Sequence, residues 1–293
     1  MTRLLISLQT FLPHHLLSFC MFILTRVRLQ AFKNLFIKNF IRIYKVDMQL
    51  AKVEEPTAYE HFNSFFTREL KPEARPIIGG ENQIACPVDG TVSQQGRITE
   101  GRLFQAKGRD YSLANLLGGN NEMAMLFKHG SFATLYLSPR DYHRIHMPVS
   151  GKLRETVYVP GRLFSVSDVS TRHIPNLFAR NERLITIYNT EFGPMAMILV
   201  GALFVSGIET VWSGQARPRR LSLQGNKIKH TDFSRPDSES ITLDKGAEMG
   251  RFNMGSTVIM LFANNQITLT DEIIAGASIK LGQHLASIPL ASN

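Results

Sequence analysis

At 293 residues the chain can bury one substantial core, or one core plus a small lobe. Its 44% hydrophobic and 19% charged residues exclude a disordered or fibrous protein. The net charge of +9 is uneven: residues 1–50 carry seven Lys/Arg against one Asp, which directs that end toward an anionic surface.

The first apolar stretch is Leu16–Leu24, between Pro13-His14-His15 and Arg26-Val27-Arg28. A helix that crosses a bilayer needs about 20 apolar residues, so this run is too short. Thr25–Arg28 also lacks the small residues of a signal-cleavage site. Gln30–Val46 has helical periodicity. Phe32, Leu35, Phe36, Phe40, Ile43 and Val46 share one broad face, Lys38, Arg42 and Lys45 gather opposite, and Lys33 and Ile41 blur the edges. A helix packed on its own core and a helix lying in a lipid interface both produce this pattern. The basic excess and the neighbouring apolar run favour the interface, and no recognition module accompanies the charge, so nucleic acid is not expected. Cys20 and Cys86 lie far apart without ligand spacing and read as small buried hydrophobes, not as a disulfide or zinc site.

Short helices are expected at Tyr59–Phe66 and Ser112–Leu117, each near a polar residue that can cap it. After residue 80 the pattern turns to strands: Phe132–Leu137, Leu153–Val159, Leu184–Tyr188 and Met195–Val200. The turn cluster Asn189–Pro194 joins the last two as a hairpin. Further strands are expected at Leu203–Ser206, Thr257–Phe262 and Gln266–Thr270, and Ala216–Pro236 reads as a surface excursion. The expected class is α+β. A helical, membrane-facing lobe covers residues 1–75, and a predominantly β catalytic domain covers 76–293.

Three segments carry chemistry. Pro87-Val88-Asp89-Gly90 places a carboxylate at a strand end or tight turn, where Asp often bonds its own backbone. Ser138–Pro148 contains His143 and His146, whose spacing leaves a structural role, a metal site and acid–base work all open. Met254-Gly255-Ser256-Thr257 runs directly into an apolar strand. Glycine before the hydroxyl permits strained backbone angles and close approach to its carbonyl, both useful if the serine attacks its own preceding peptide bond.

Further blocks accompany these segments: Tyr44–Asp47, Phe62-Asn63-Ser64-Phe65-Phe66, Gln105–Gly108, Tyr111–Leu113, Val159–Gly161, Asn176–Arg183, Gly207-Ile208-Glu209-Thr210 and Gly282-Gln283. Together they make the chain resemble the bacterial, membrane-associated phosphatidylserine decarboxylases over nearly its whole length. One position departs: the family's usual Leu before Gly-Ser-Thr is Met254 here, a residue of similar volume.

The resemblance implies a proenzyme in phospholipid biosynthesis that cuts itself between Gly255 and Ser256, giving a β chain of 1–255 and an α chain of 256–293. By motif, Ser256 is the nucleophile, His146 the base and Asp89 the carboxylate orienting it, while His143 contacts the substrate carboxylate or supplies a proton. Ser256 would then become a covalent pyruvoyl group, the electron sink that forms a Schiff base with phosphatidylserine, so no separately bound cofactor and no metal are implied. The resemblance also implies a homodimer working on an anionic membrane surface, at the cytoplasmic side of the cell membrane. Arg180 and Arg183 are candidates for the lipid phosphate. Two other classes remain. A non-catalytic lipid-binding protein leaves Asp89, His143, His146 and Ser256 unexplained; a metal-dependent lipid hydrolase using Asp89, His143 and His146 leaves Gly255-Ser256 idle.

Overall fold

The structure, a computed structural model, describes residues 9, 11–106, 108–204, 207–216, 227–263 and 267–289. Strand β15 (Thr257–Phe262) is buried at every position, because it lies in the middle of a sheet that is covered on both faces. Its neighbours are β9 (Gly193–Val200) and β5 (Ser131–Tyr136), with Thr257 opposite both Val200 and Tyr136. Beyond β5 come β2 (Gly90–Arg97) and β17 (Ser278–Ile279). Beyond β9 come β8 (Arg183–Thr190) and β7 (Gly151–Val159), and β7 also pairs with β12 (Lys229–Asp232) and β13 (Thr242–Leu243). Among the described residues this makes nine strands, all antiparallel.

Successive side chains point to opposite faces, so the sheet separates two cores. Val258, Met260, Phe262, Met195, Met197 and Leu199 line one face. That face is covered by a smaller sheet of β11 (Gly214–Gln215), β10 (Ile208–Thr210), β14 (Glu248–Phe252) and β6 (Arg144–His146), and by β1 (Gln83–Ala85), β18 (His284–Ser287) and β16 (Thr268–Leu269). Ile259, Leu261, Ala196, Ile198 and Val200 line the other. There they meet Leu113 and Leu116 of one short helix (Leu113–Leu116), Met123 and Phe127 of the next (Asn121–Phe127), and Leu177 and Phe178 of a third (Leu177–Arg180). A hairpin of β3 (Arg102–Ala106) and β4 (Arg109–Ser112) completes this side. The fold is α+β.

The N-terminal lobe consists of α1 (His14–Leu24), α2 (Gln30–Tyr44) and α3 (Phe62–Phe66). Helix α3 starts at Phe62 and not at Tyr59 because His61 and Ser64 cap it reciprocally: His61 Nδ1 accepts from Ser64 N at 3.0 Å, and Ser64 Oγ accepts from His61 N at 3.2 Å. The core face of α2 is turned from the expected one. Ile37 and Phe40 pack with Phe62, Phe65 and Phe66, and Lys33 is buried with them because its ammonium donates to Thr57 O at 2.8 Å. Leu35 and Ile43, expected on the same face as Phe40, are left 63% and 70% exposed. No helix among the described residues is long and apolar enough to cross a membrane.

Other expectations need correction. Leu203–Phe204 is a turn, not a strand, because Phe204 takes a φ of 67° that no strand accepts; residues 205–206 of that expected strand lie outside the described residues. Of the expected strand Gln266–Thr270, Thr268–Leu269 forms and residue 266 lies outside the description. Part of the surface excursion, Lys229–Asp232, is an edge strand on β7, while residues 217–226 are not described. Cys86 is buried, but Cys20 is exposed on α1.

Candidate active site

Adjacent strand ends bring the candidate residues to one place. In the order β9, β15, β5, β2, Thr257 lies opposite Tyr136 and Tyr136 opposite Thr91, so Ser256, Leu137 and Asp89–Gly90 emerge at the same end of the sheet. Leu137 N donates to Ser256 O at 2.9 Å and continues the ladder one residue past the strand. Ser256 is fully buried and its Oγ has no hydrogen-bond partner among the described residues. A buried hydroxyl without a partner is unfavourable by about 1–3 kcal/mol, and it leaves this group free of competing hydrogen bonds if it is to act as a nucleophile.

Strain is present, though not at the glycine. Met254 has a φ of 153°, a region rarely open to residues with a side chain, at a cost of about 1–3 kcal/mol. Its side chain packs against both the N-terminal aromatic cluster and the helix-covered core, and these contacts hold the conformation. The freedom expected of Gly255 is thus used by the residue before it.

The two histidines separate because of strand register. Strand β6 pairs with β14 so that Arg144 faces Arg251 and His146 faces Glu248, and Phe252 N donates to His143 O at 3.0 Å. His143 therefore lies at the level of the Gly255–Ser256 bond and His146 is carried away from it, at roughly 3.3 Å of strand per residue. His143 Nδ1 lies 2.8 Å from Asp141 O; a carbonyl only accepts, so Nδ1 carries the proton and Nε2 is a bare lone pair. That Nε2 is buried without a partner among the described residues, 3.5 Å from where a Cβ on Gly255 would sit. The His143 pKa is lowered to about 3, chiefly by burial, with the Asp141 carbonyl opposing and the nearby Arg68 guanidinium adding to the shift. Phe66 packs its ring against the imidazole, centroids 4.1 Å apart.

His146 is also neutral-leaning, its pKa lowered chiefly by burial. Its Nδ1 donates to Gly246 O at 2.8 Å, and the remaining Nε2 accepts from Tyr142 Oη at 3.0 Å. Asp89 is buried close by, since Pro87 O accepts from His146 N at 3.0 Å. Its carboxylate is engaged elsewhere, with Arg75 Nε at 2.8 Å, Arg75 Nη2 at 2.5 Å and Leu281 N at 2.8 Å. Among the described residues no hydrogen bond joins Asp89 to His146, or either histidine to Ser256. The structure thus gathers Asp89, His143, His146 and Ser256 into one neighbourhood, with His143 beside Gly255 and Asp89 held in an ion pair.

Sequence reasoning missed Arg75, Tyr142 and Arg68. Arg68 is buried, with Nε unpartnered among the described residues. Tyr142 lies within the Ser138–Pro148 segment but reads there as an ordinary aromatic, and no local motif marks Arg68 or Arg75; the importance of all three comes from what the fold sets against them. The phosphate candidates lie elsewhere: Arg183 is buried and donates to the carbonyls of Asn115, Leu116, Ala179 and Asn181, a structural role. Arg180 stacks over Phe164 at 4.8 Å.

A cavity of about 170 Å³ opens at Gly255. Phe40 and Tyr44 of α2 line it, with Phe66, Tyr136, Phe204 and Met254. Its polar side chains are hydroxyls, from Tyr44, Tyr136, Ser165 and Ser167. It links Gly255 to the lobe whose outer surface exposes Leu16, Phe19, Ile23, Leu24, Leu29, Leu35 and Ile43.

Comparison with known proteins points one way. The family model described as phosphatidylserine decarboxylase matches residues 62–287, and a second, described as PSD, matches residues 4–45. A phosphatidylserine decarboxylase proenzyme of Stutzerimonas stutzeri (strain A1501) is 50% identical over 290 residues, covering 99% of this chain and 96% of the relative. Proenzymes of the same name from Pseudomonas aeruginosa (strain LESB58) and Ectopseudomonas mendocina (strain ymp) are 51% and 49% identical, covering 97% and 98% of this chain and 96% and 99% of their own lengths.

Proposed function

The chain belongs to the phosphatidylserine decarboxylase family, and on that premise we propose that it matures by cutting its own Gly255–Ser256 bond and then works at a membrane surface. It is a carboxy-lyase of phospholipid biosynthesis, releasing the serine carboxyl of phosphatidylserine as CO₂ and leaving phosphatidylethanolamine. The observation that carries the self-cutting reading is the buried, unpartnered Ser256 Oγ next to a strained Met254–Gly255 segment.

In the cut, Ser256 Oγ attacks the Gly255 carbonyl carbon and its proton passes to a base, so an ester replaces the amide. Removal of the Ser256 Cα proton then expels the β chain, residues 1–255, as a carboxylate and leaves a dehydroalanine at position 256, which water hydrolyses to a pyruvoyl group with loss of the Ser256 nitrogen as ammonia. The α chain, 256–293, keeps its place because β15 is hydrogen-bonded on both sides within the sheet. The position fits the pyruvoyl group that would result, since Ser256 is enclosed, its carbonyl is held by Leu137 N and the cavity reaches Gly255. When present, that group supplies an electrophilic carbonyl able to accept the electrons released by decarboxylation.

We assign the base to His146 and its support to Asp89, on the motif. A neutral imidazole suits the task, although Tyr142 must release Nε2 first. A second reading is favoured by geometry: His143 Nε2 is bare and faces Gly255. The motif nevertheless gives the base to His146, and His143 keeps the substrate contact or the proton return, for which its Nε2 would have to take up a proton during the reaction.

Support for a membrane-bound lobe (residues 1–75, beside a catalytic domain of 76–293) is the exposed apolar surface of α1 and α2 with exposed Lys38, Arg42 and Lys45. A diacyl substrate could then present its headgroup to the cavity without leaving the bilayer. We extend the proposal to a homodimer at the cytoplasmic side of the cell membrane. The test is release of labelled CO₂ from carboxyl-labelled phosphatidylserine in mixed micelles. Wild-type protein releases it and Ser256→Ala does not. Release by Ser256→Ala, or loss of wild-type activity on chelation, would sink the reading.

A further inference from the structure

Helix α3 carries two side chains, one helical step apart, that touch Asn253, two residues before Gly255, and His143, which faces Gly255. The first is Asn63, whose Nδ2 donates to Asn253 Oδ1 at 3.0 Å in a buried contact. Asn253 Nδ2 donates in turn to Glu209 Oε1 at 2.8 Å. Glu209 also accepts from Gln215 Nε2 at 2.6 Å and from Arg251 Nε at 2.8 Å. Burial pushes the Glu209 carboxyl up, but these hydrogen bonds outweigh it and hold the pKa below the usual carboxylate value, so Glu209 is ionised at neutral pH. An ionised carboxylate only accepts, which fixes the direction of the whole chain. The Asn253 amide must present its NH₂ to Glu209 and its oxygen to Asn63.

The second side chain is Phe66, packed on His143. Helix α3 is itself fixed by its reciprocal cap, and Asn63 N donates to Thr25 O at 2.9 Å. Met254, with its φ of 153°, follows Asn253 directly. Such a conformation persists only where the surroundings over-determine it, and the buried Asn63–Asn253–Glu209 chain does so from one side.

We propose that Asn63 is a positioning residue for self-cleavage, holding Asn253 so that the strained Met254–Gly255 backbone stays set against Ser256 and His143. It touches no reacting atom. The inference rests on the self-cutting reading above, and the experiment separates the two. Asn63→Asp keeps the side chain's size but sets an acceptor against Asn253 Oδ1. The full chain is made by cell-free synthesis and the appearance of two chains is followed by denaturing mass analysis.

The expected result is a slowing of about 10²-fold, the usual effect of misplacing a reacting group by an ångström. Unfolding midpoints are compared in the uncut Ser256→Ala background, where Asn63→Asp, a buried acceptor set against an acceptor, should lower the midpoint but leave the chain folded. Cleavage at the wild-type rate, or slowing that a stabilising osmolyte reverses, overturns the proposal. If Asn63→Asp does not fold, Glu209→Gln decides, since it keeps Asn63 but lets the Asn253 amide turn. Slowing of about tenfold is then expected, and the wild-type rate overturns the proposal. Cleavage of Ser256→Ala alone would instead refute the self-cutting reading and leave the positioning question separate.

Discussion

His143 presents a bare, buried Nε2 to Gly255, 3.5 Å from where a β-carbon on that residue would sit. His146, three residues on, is turned to Gly246 and Tyr142. Two histidines of one motif therefore have different surroundings, and the proposed division of the chemistry between them can be tested. His146→Ala is expected to remain a single chain, and His143→Ala to mature but lose at least about 10²-fold in decarboxylation. Denaturing mass analysis and CO₂ release from the same preparations check both. The reverse pattern would move the base to His143.

The burial of His143 also sets a pH dependence. Its ordinary value of 6.5 applies to the unfolded chain and about 3 to the folded one. Between the two the unfolded state binds more protons, so stability rises with pH and is lost as pH falls below about 6.5, by up to about 1.4 kcal/mol per unit. The lowered His146 acts in the same direction. Urea unfolding in the Ser256→Ala background should show this slope, and His143→Gln should flatten it. A slope unchanged by His143→Gln would contradict the burial argument.

Arg75 and Asp89 form a nearly dry ion pair, their side chains 13% and 5% exposed. Removing Arg75 leaves a buried carboxylate with Leu281 N as its remaining donor. Arg75→Ala should lower stability by about 3–5 kcal/mol, read as a shift in denaturant midpoint. A shift below about 1 kcal/mol would mean the pair is open to water.

The sheet was legible in the sequence because its central strands are unbroken apolar runs: Thr257–Phe262 forms as expected, and the Leu184–Tyr188 and Met195–Val200 hairpin extends by a few residues. What pattern could not give was register and charge pairing. The separation of His143 from His146 follows from Arg144 facing Arg251, a pairing across distant segments. The turned face of α2 follows from Lys33 finding Thr57 O, which a helical wheel counts as a charge to be kept outside. Asn63, Phe66 and Glu209 did lie within recognised blocks, but their link through Asn253 exists only in the fold.

That rotation changes how membrane attachment should be tested. Deleting residues 1–46 would remove Ile37, Phe40 and Val46 from the aromatic cluster and damage the fold. Leu35→Asp with Ile43→Asp alters exposed positions only. The pair should reduce partition into anionic liposomes with little change in the unfolding midpoint, and unchanged partition would count against the surface-lobe reading.

The central claim is that Ser256 opens the chain at its own peptide bond. Denaturing mass analysis of freshly purified full-length protein tests it most directly. The account predicts two chains, residues 1–255 and residues 256–293, the second with a blocked N-terminus bearing a pyruvoyl group. Because β15 is paired on both edges, the two should co-elute under native conditions. A single intact chain with a serine at position 256, in a preparation that still decarboxylates phosphatidylserine, would contradict it.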